Sequence, residues 1–561
     1  MHFCELRRRF FRVKTVSSDP LETRLQRCLT TTDITLLGIG HMIGAGIYVL
    51  TGSVVLHSAG PSIILSFALA GIASLLAALC YAEFGSRFPK AGSAYTYAYI
   101  GVGELWAFII GWNVVLEHML GAAAIARAWS GYLRSLFGKY VPYKPHLVEE
   151  GLTFGNIKHF FWESLDFVAF SVIVVVGVFV ALGSRTSTNV NSFFTVINMM
   201  VILFVTLYGF TFADFSYWKG VNESGEWNFM PFGWSGMFTG AASCFFAYIG
   251  FDGLATAGEE SQTPARSIPL ATFASMSFVT IAYILMSAAL TLMVPYYMVG
   301  LFGIMLSTFV NPTAAFSEAF AQHGAIWAKY IVSIGAISGM ATSLVGSLFA
   351  LPRCVYAMAE DGLLFSVFAK ISEKTQVPVN AMVVFGTATA IIALLFTIDT
   401  LVQFLSIGTL LAYTFVSACV IILRYRPTID ADDIAQAPGG QVRSWVPFDK
   451  WLKLAKPSEL INVCVFVLIS ASSSIGLTLA TGAASTLLGI TLLVVSTVVS
   501  FIALGLMCLH HQNNEKLQFK VPFVPFVPAL SMFINILLML HLAPITWLRL
   551  LVWLLIGKSQ L

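Results

Sequence analysis

Ionisable side chains fall inside the long apolar runs of this chain at His41, Glu83, Glu104, Glu117, His118, Arg127 and Asp252. Each costs about 2.5 kcal/mol or more at the centre of a membrane helix, so each needs a partner or a task. None is arranged for bond-making. No nucleophile elbow, phosphate-binding loop or zinc-ligand spacing surrounds them, which argues against an enzyme and against a resident metal or cofactor. What remains is recognition of a solute by charge and hydrogen bonding, where a low dielectric makes one opposite-charge pair outweigh several neutral contacts.

Glu117 is the most suggestive of these. Asn113, Glu117 and Gly121 recur at i, i+4 and i+8 and form a polar and small stripe suited to face a cavity, the plain alternative being a hydrogen bond to a neighbouring helix. Asp252 stands between Gly250 and Gly253, where a carboxylate can cap freed N–H groups or take part in gating. Glu104 opens its apolar run, and a carboxylate at a helix start is favoured by the macrodipole. His41 either lines a site or faces a neighbouring helix. Glu83 and Arg127 lie near span ends and are expected to snorkel.

The elements that would position these groups are two interrupted helices. One is the run from Asp33 to Gly52, broken at Gly44-Ala45-Gly46; the other runs from Ser243 to Gly258, broken around Gly250 and Gly253. Inside a bilayer every backbone polar group must find a partner, so a mid-depth break is costly unless a side chain or a solute meets the freed groups. Two such breaks about one half-repeat apart mark the binding centre of a secondary transporter.

Composition sets the class. The 561 residues are 57% hydrophobic and only 11% charged, with mean hydropathy +0.82, which no soluble core explains. A net charge of +3 gives no reason to expect nucleic acid. The expected fold is an all-α membrane protein of about fourteen transmembrane helices, each near the ~20 residues a span requires. The expected spans are 33–56, 60–85, 102–130, 164–182, 190–213, 237–258, 268–295, 325–357, 380–397, 400–424, 458–480, 484–509, 522–543 and 545–557. Five crossings separate the broken helices, so spans one to five (33–213) and six to ten (237–425) read as two inverted five-helix repeats with helices 1 and 6 broken.

Residues 1–32 form a polar, basic tail with no cleavable signal, and 426–457 a polar loop. Both are placed in the cytoplasm, with loops assigned Arg87, Lys90, Arg185, Arg266, Arg353, Lys370, Lys374, Arg424, Arg426, Lys516 and Lys520, because the lysine and arginine bias falls on that side. The opposite side then holds the sequon Asn222-Glu-Ser224, a glycosylation acceptor. The last helices, within 458–561, look peripheral to transport and suited to lipid or homo-oligomer contacts. The final span is too short to cross comfortably, as in a truncated or alternative C-terminus. The cysteines show neither disulfide nor zinc spacing.

Several stretches resemble the cationic amino acid transporter family, within the amino acid–polyamine–organocation superfamily, and most closely its type-four branch. They include Gly38-Ile-Gly-His-Met-Ile-Gly-Ala-Gly-Ile-Tyr-Val-Leu50, Leu79-Cys-Tyr-Ala-Glu-Phe-Gly85, Cys244-Phe-Phe-Ala-Tyr-Ile-Gly-Phe-Asp252, Ser406-Ile-Gly-Thr-Leu-Leu-Ala-Tyr413 and Phe519-Lys-Val-Pro-Phe-Val-Pro525. The resemblance implies an amino acid substrate whose α-carboxylate is held by N–H groups around Ile43, Gly44, Ala45 and Gly46. Carbonyls near Met42 and Ile249 would take its α-ammonium. It makes Phe246 an aromatic gate, Glu104 a residue needed for transport and Asp252 an acidic group beside the site. His41 stands where many relatives have a small polar residue, and Glu117 where some arginine carriers have serine; both bear on substrate identity. Span 5 lacks Lys and Arg, so no internal amine serves proton coupling, which favours uniport or exchange. The expectation is a multi-pass carrier of cationic amino acids in the plasma membrane or an endomembrane. A neutral amino acid carrier and a non-transporting sensor of the same fold are the alternatives.

Overall fold

The structure is a computed structural model and describes residues 12–14, 23, 25–137, 165–220, 227–296, 314–397, 400–401, 407–427, 439–443, 459–513, 515, 517–542 and 544–558. Asn222 and most of 426–457 lie outside the described residues. The described chain is nearly all helical, and nine of its helices are long and apolar enough to cross a membrane, with further apolar helices of 10–17 residues. This is a multi-pass membrane protein.

The first helix, α1 (Thr31–Met42), begins two residues before the expected start because Thr30 and Asp33 close a capping box. The Asp33 N–H donates to Thr30 Oγ1 at 3.3 Å and the Thr30 N–H to Asp33 Oδ2 at 3.0 Å. Helical structure resumes at 46–59 (α2) after the break. Then come α3 (Ile63–Arg87), α4 (Ala94–Gly101), α5 (Glu104–Phe137), α6 (Phe167–Ala181) and α7 (Ser184–Gly209). The sixth span is α8 (Gly233–Phe245) and, beyond its break, the short α9 (Asp252–Thr256). It is followed by α10 (Pro264–Met293), α11 (Ala315–Gln322), α12 (Ile326–Glu360), α13 (Val379–Leu395) and α14 (Ile407–Tyr425). The remaining helices are α15 (Glu459–Ala480), α16 (Leu487–Cys508), α17 (Phe526–Leu540) and α18 (Pro544–Lys558).

Two of these fall between the expected spans. Both are short helices: α4, wholly buried, packs on α5 and α14, and α11 packs on α12 and α10. At eight residues each they are below the length that a transmembrane pattern picks out.

The core forms around α5 and α12, which pack along each other, with α1 held between α7, α10 and α12. The late helices do not stand apart: α17 lies against α14 and α3, and Ser417 Oγ donates to Ser531 Oγ at 3.0 Å. Outward faces of α6, α7, α13 and α16 carry exposed Phe, Leu, Val and Ile, as lipid-facing helices do.

Two arginines assigned to cytoplasmic loops are buried in helices instead. Arg353, with a wholly buried side chain, sits inside α12 and pairs with Glu260 at 2.7 Å while donating to Ser184 Oγ at 2.9 Å. Arg424, near the end of α14, grips Glu83 through two bonds of 2.8 and 2.9 Å, and the Val521 N–H adds a third at 2.6 Å. Glu83 is therefore fixed, with 3% exposure, and does not snorkel. Guanidinium meets carboxylate through a planar fork, so burial with a bidentate partner replaces solvation as the way to keep the charge. Arg127 likewise ties α5 to α13, its Nη2 donating to the Leu394 carbonyl at 2.8 Å, and approaches Asp166 at 3.8 Å.

Removing one member of such a pair strands the other charge. Arg424→Met is expected to destabilise the protein by about 3 kcal/mol, whereas Glu83→Gln/Arg424→Met recovers most of that loss. Melting temperatures of the purified variants in detergent check this.

Candidate functional site

The first break is built from a chain that runs out of helix and is met by side chains. The Ile43 N–H donates to the Ile39 carbonyl at 2.9 Å and so belongs to the end of α1. The carbonyls of the last turn lack helical donors and are served from elsewhere. Gly40 O accepts from Thr342 and Ser343 at 3.0 and 3.1 Å, and His41 O accepts from Ser343 at 2.7 Å. Met42 O accepts from the Tyr283 hydroxyl at 2.8 Å, and Ile43 O from Asn198 Nδ2 at 3.5 Å. Residues 44–46 then open the next helical stretch, where N–H groups have no preceding turn to bond.

The second break lies directly against the first. A Cβ on Gly46 would stand 2.5 Å from Ala247 Cβ and 2.6 Å from its Cα, so only a glycine lets the two backbones approach this closely. Tyr283 spans both, its hydroxyl 2.8 Å from Met42 O and 2.9 Å from Ala247 O, with one proton shared between them. The second helix leaves its axis at Ile249 (φ −61°, ψ 132°) and turns through Gly250 at φ 128°, a conformation that a side chain would strain. Ile249 and Phe246 are half-buried, and Phe246 packs on the core.

His41 fills the space between the second break and α12. Its ring is cradled by Gly250, Gly253 and Gly346, and its Nε2 lies 3.3 Å from Ser347 Oγ. It stacks on His118 with centroids 6.4 Å apart. His118 Nε2 stands 3.9 Å from Asp252 Oδ2, too far for a hydrogen bond, and has no other partner among the described residues. Tyr413 donates to Asp252 Oδ1 at 3.5 Å. His41, His118 and Asp252, distant in sequence, thus form one buried polar cluster on the second break.

Glu117 is engaged rather than open. Its Oε1 accepts from the Gly408 N–H at 3.1 Å and from Arg549 Nη2 at 3.3 Å, and its Oε2 accepts from Thr409 at 3.1 Å. Asn113, on the same stripe, turns back to donate to Ile109 O at 2.7 Å. Glu104 caps α5 at its start: Tyr99 donates to Oε2 at 3.1 Å, Arg12 approaches it at 3.6 Å, and its own N–H donates to Arg12 O at 3.0 Å. Beside it, burial and the Glu104 charge push the Tyr99 hydroxyl up to about 12. Lys14 joins the same strap through both oxygens of Asp361 at 2.7 Å.

Sequence reasoning did not single out Tyr283, Thr342, Ser343, Asn198 or Arg549. Thr342-Ser343 and Asn198 were visible as polar residues in apolar runs, the signal that found Glu117. Tyr283 was not, because a tyrosine in an apolar helix is ordinary. Tyr283→Phe leaves two buried carbonyls short of a donor, an expected loss of about 1–3 kcal/mol, and a lowered melting temperature in detergent checks it.

The sequence pattern of the family described as Amino acid permease matches residues 29–439, and that described as the C-terminus of AA_permease matches residues 519–559. The chain is 42% identical to cationic amino acid transporter 4 of Homo sapiens, over 98% of this chain and 88% of the relative. It is 41% identical to the Mus musculus protein of the same name, over 99% and 89%. It is 35% identical to the vacuolar cationic amino acid transporter 4 of Arabidopsis thaliana, over 95% and 91%.

Proposed function

Because this chain belongs to the amino acid permease family, we propose that it carries amino acids with cationic side chains, such as arginine, lysine and ornithine, across a membrane. It does so by alternating access, as uniport or exchange. The observation that carries this reading is the pair of breaks held side by side by Gly46, Ala247 and Tyr283. The carbonyls of the first break are already served by side chains, so what the break offers a solute is the N–H groups of Gly44, Ala45 and Gly46, which suit an α-carboxylate. Ile43 contributes shape rather than its N–H. The Ile249 carbonyl would take the α-ammonium, with Met42 O shared with Tyr283, and Phe246 would close over the solute.

The element order supports fourteen spans with two inverted five-helix repeats, and the charge bias supports an N-terminus in the cytoplasm, for a carrier that resides in the plasma membrane or an endomembrane. Asp252 supplies negative charge beside the second break, and Glu104 holds the start of α5 against the tail. One observation favours a neutral substrate as the second reading: the Glu117 charge is already matched by Arg549.

Gly46→Val would drive a branched side chain into Ala247 and separate the breaks, so uptake of every amino acid should fall to background in proteoliposomes at unchanged protein incorporation. Wild-type uptake by this variant would remove the assignment. For orientation, Asn222→Gln is expected to increase gel mobility of protein from a glycosylating cell, and an unshifted band leaves that loop without a glycan.

A further inference from the structure

The terminal helix α18 packs on α5 and α14. Its register is set by a tryptophan pair: Trp553 stacks on Trp112 with centroids 4.4 Å apart and planes 6° from parallel. The bonds between them are reciprocal, Trp112 Nε1–H donating to Trp553 O at 3.0 Å and Trp553 Nε1–H to Trp112 O at 2.8 Å. One turn earlier on α18, Arg549 is thereby delivered to Glu117, a little over one turn later on α5.

The two ends of this ion pair differ in how well they are satisfied. Glu117 keeps the Gly408 N–H and the Thr409 hydroxyl whatever Arg549 does. Arg549 meets the carboxylate through Nη2 alone, at 3.3 Å, although its side chain is only 12% exposed. Its Nε and Nη1 are buried with no hydrogen-bond partner among the described residues. The Arg424–Glu83 pair, forked and at 2.8–2.9 Å, shows what a committed guanidinium–carboxylate contact is in this protein. A single long bond with two donors stranded is weaker, and another cation can replace it at little cost.

Glu117 is also close to the site in structural terms. Thr409, which it holds, and Tyr413, which holds Asp252 on the second break, are i and i+4 on α14 and share a face. One turn of one helix separates the carboxylate paired with Arg549 from the carboxylate at the break.

We propose that Arg549 is a specificity-determining residue, an internal cation that occupies Glu117 in the empty carrier and that the side chain of a cationic amino acid must displace. The proposal rests on the amino acid transport reading. Its consequence is that α18, when docked, raises the concentration of cationic substrate needed and leaves neutral substrates unaffected.

The test compares arginine with citrulline, of similar length and uncharged, in proteoliposomes holding the full chain. Arg549→Gln is expected to lower KM for arginine about tenfold while KM for citrulline stays within about twofold, since only the charged side chain competes for Glu117. Arg549→Lys keeps the charge and should return the ratio to the wild-type value. Adding Glu117→Gln to Arg549→Gln should cancel the gain. If Arg549→Gln does not reach the wild-type melting temperature, Trp553→Ala, which loosens the clamp and keeps Arg549, decides in its place and is expected to shift the ratio the same way. An equal change for both substrates, or none, makes Arg549 a plain anchor of the helix and overturns the proposal alone. A wild-type protein that moves no amino acid overturns the transport reading and this proposal with it.

Discussion

The constraint on which this structure turns is that a helix broken inside a bilayer must have its backbone satisfied by something other than water. At the first break four successive carbonyls, from Gly40 to Ile43, each receive a side-chain donor. Those donors come from three other helices, α7, α10 and α12. The break is therefore a junction: α1 cannot shift relative to α12 without Ser343 losing His41 O, nor relative to α10 without Tyr283 losing Met42 O. Selective satisfaction also gives the site its sign. With acceptors consumed and the donors of the following half-helix left at its start, what the first break presents is positive.

Charge is handled by the same economy. Glu83, Glu260, Arg353 and Arg424 have nearly no contact with solvent and are joined in pairs that link α3 to α14 and the end of the sixth span to α12. Each pair is more a lock than a source of stability, because desolvation consumes most of the attraction, while losing one partner is severe. By contrast the His41–His118–Asp252 cluster is loosely bonded, with contacts of 3.3 to 3.9 Å. Locks hold the scaffold, and the slack is concentrated at the second break.

Much of this was legible in the sequence. The two breaks were found from glycines inside apolar runs, and their juxtaposition is the contact of Gly46 with Ala247. Span positions followed from apolar length, with ends shifted where a local cap decides them, as Thr30 and Asp33 do. Helices α4 and α11 escaped because eight residues carry too little periodicity to stand out between spans. Arg353 and Arg424 were misplaced for a different reason: counting charges assigns an arginine near a span end to water, and the partner that buries it lies 93 or 341 residues away. No local pattern contains that information. The same holds for Glu117, whose spacing with Asn113 and Gly121 is local but whose partners, Gly408, Thr409 and Arg549, come from far along the chain.

Helix α5 is where these threads meet. At its start Glu104 is held by Arg12 of the tail, at its middle Glu117 is held by Arg549 of the last helix, and between them Trp112 is clamped by Trp553. Both ends of the chain thus touch one helix, whose next residue after Glu117, His118, faces the second break. Whichever cation sits on the Glu117 carboxylate sets part of the field at Asp252, one helical turn of α14 away. The N-terminal tail and the last apolar helix, which sequence composition sets apart from the transport core, thus both reach the helix that carries Glu117.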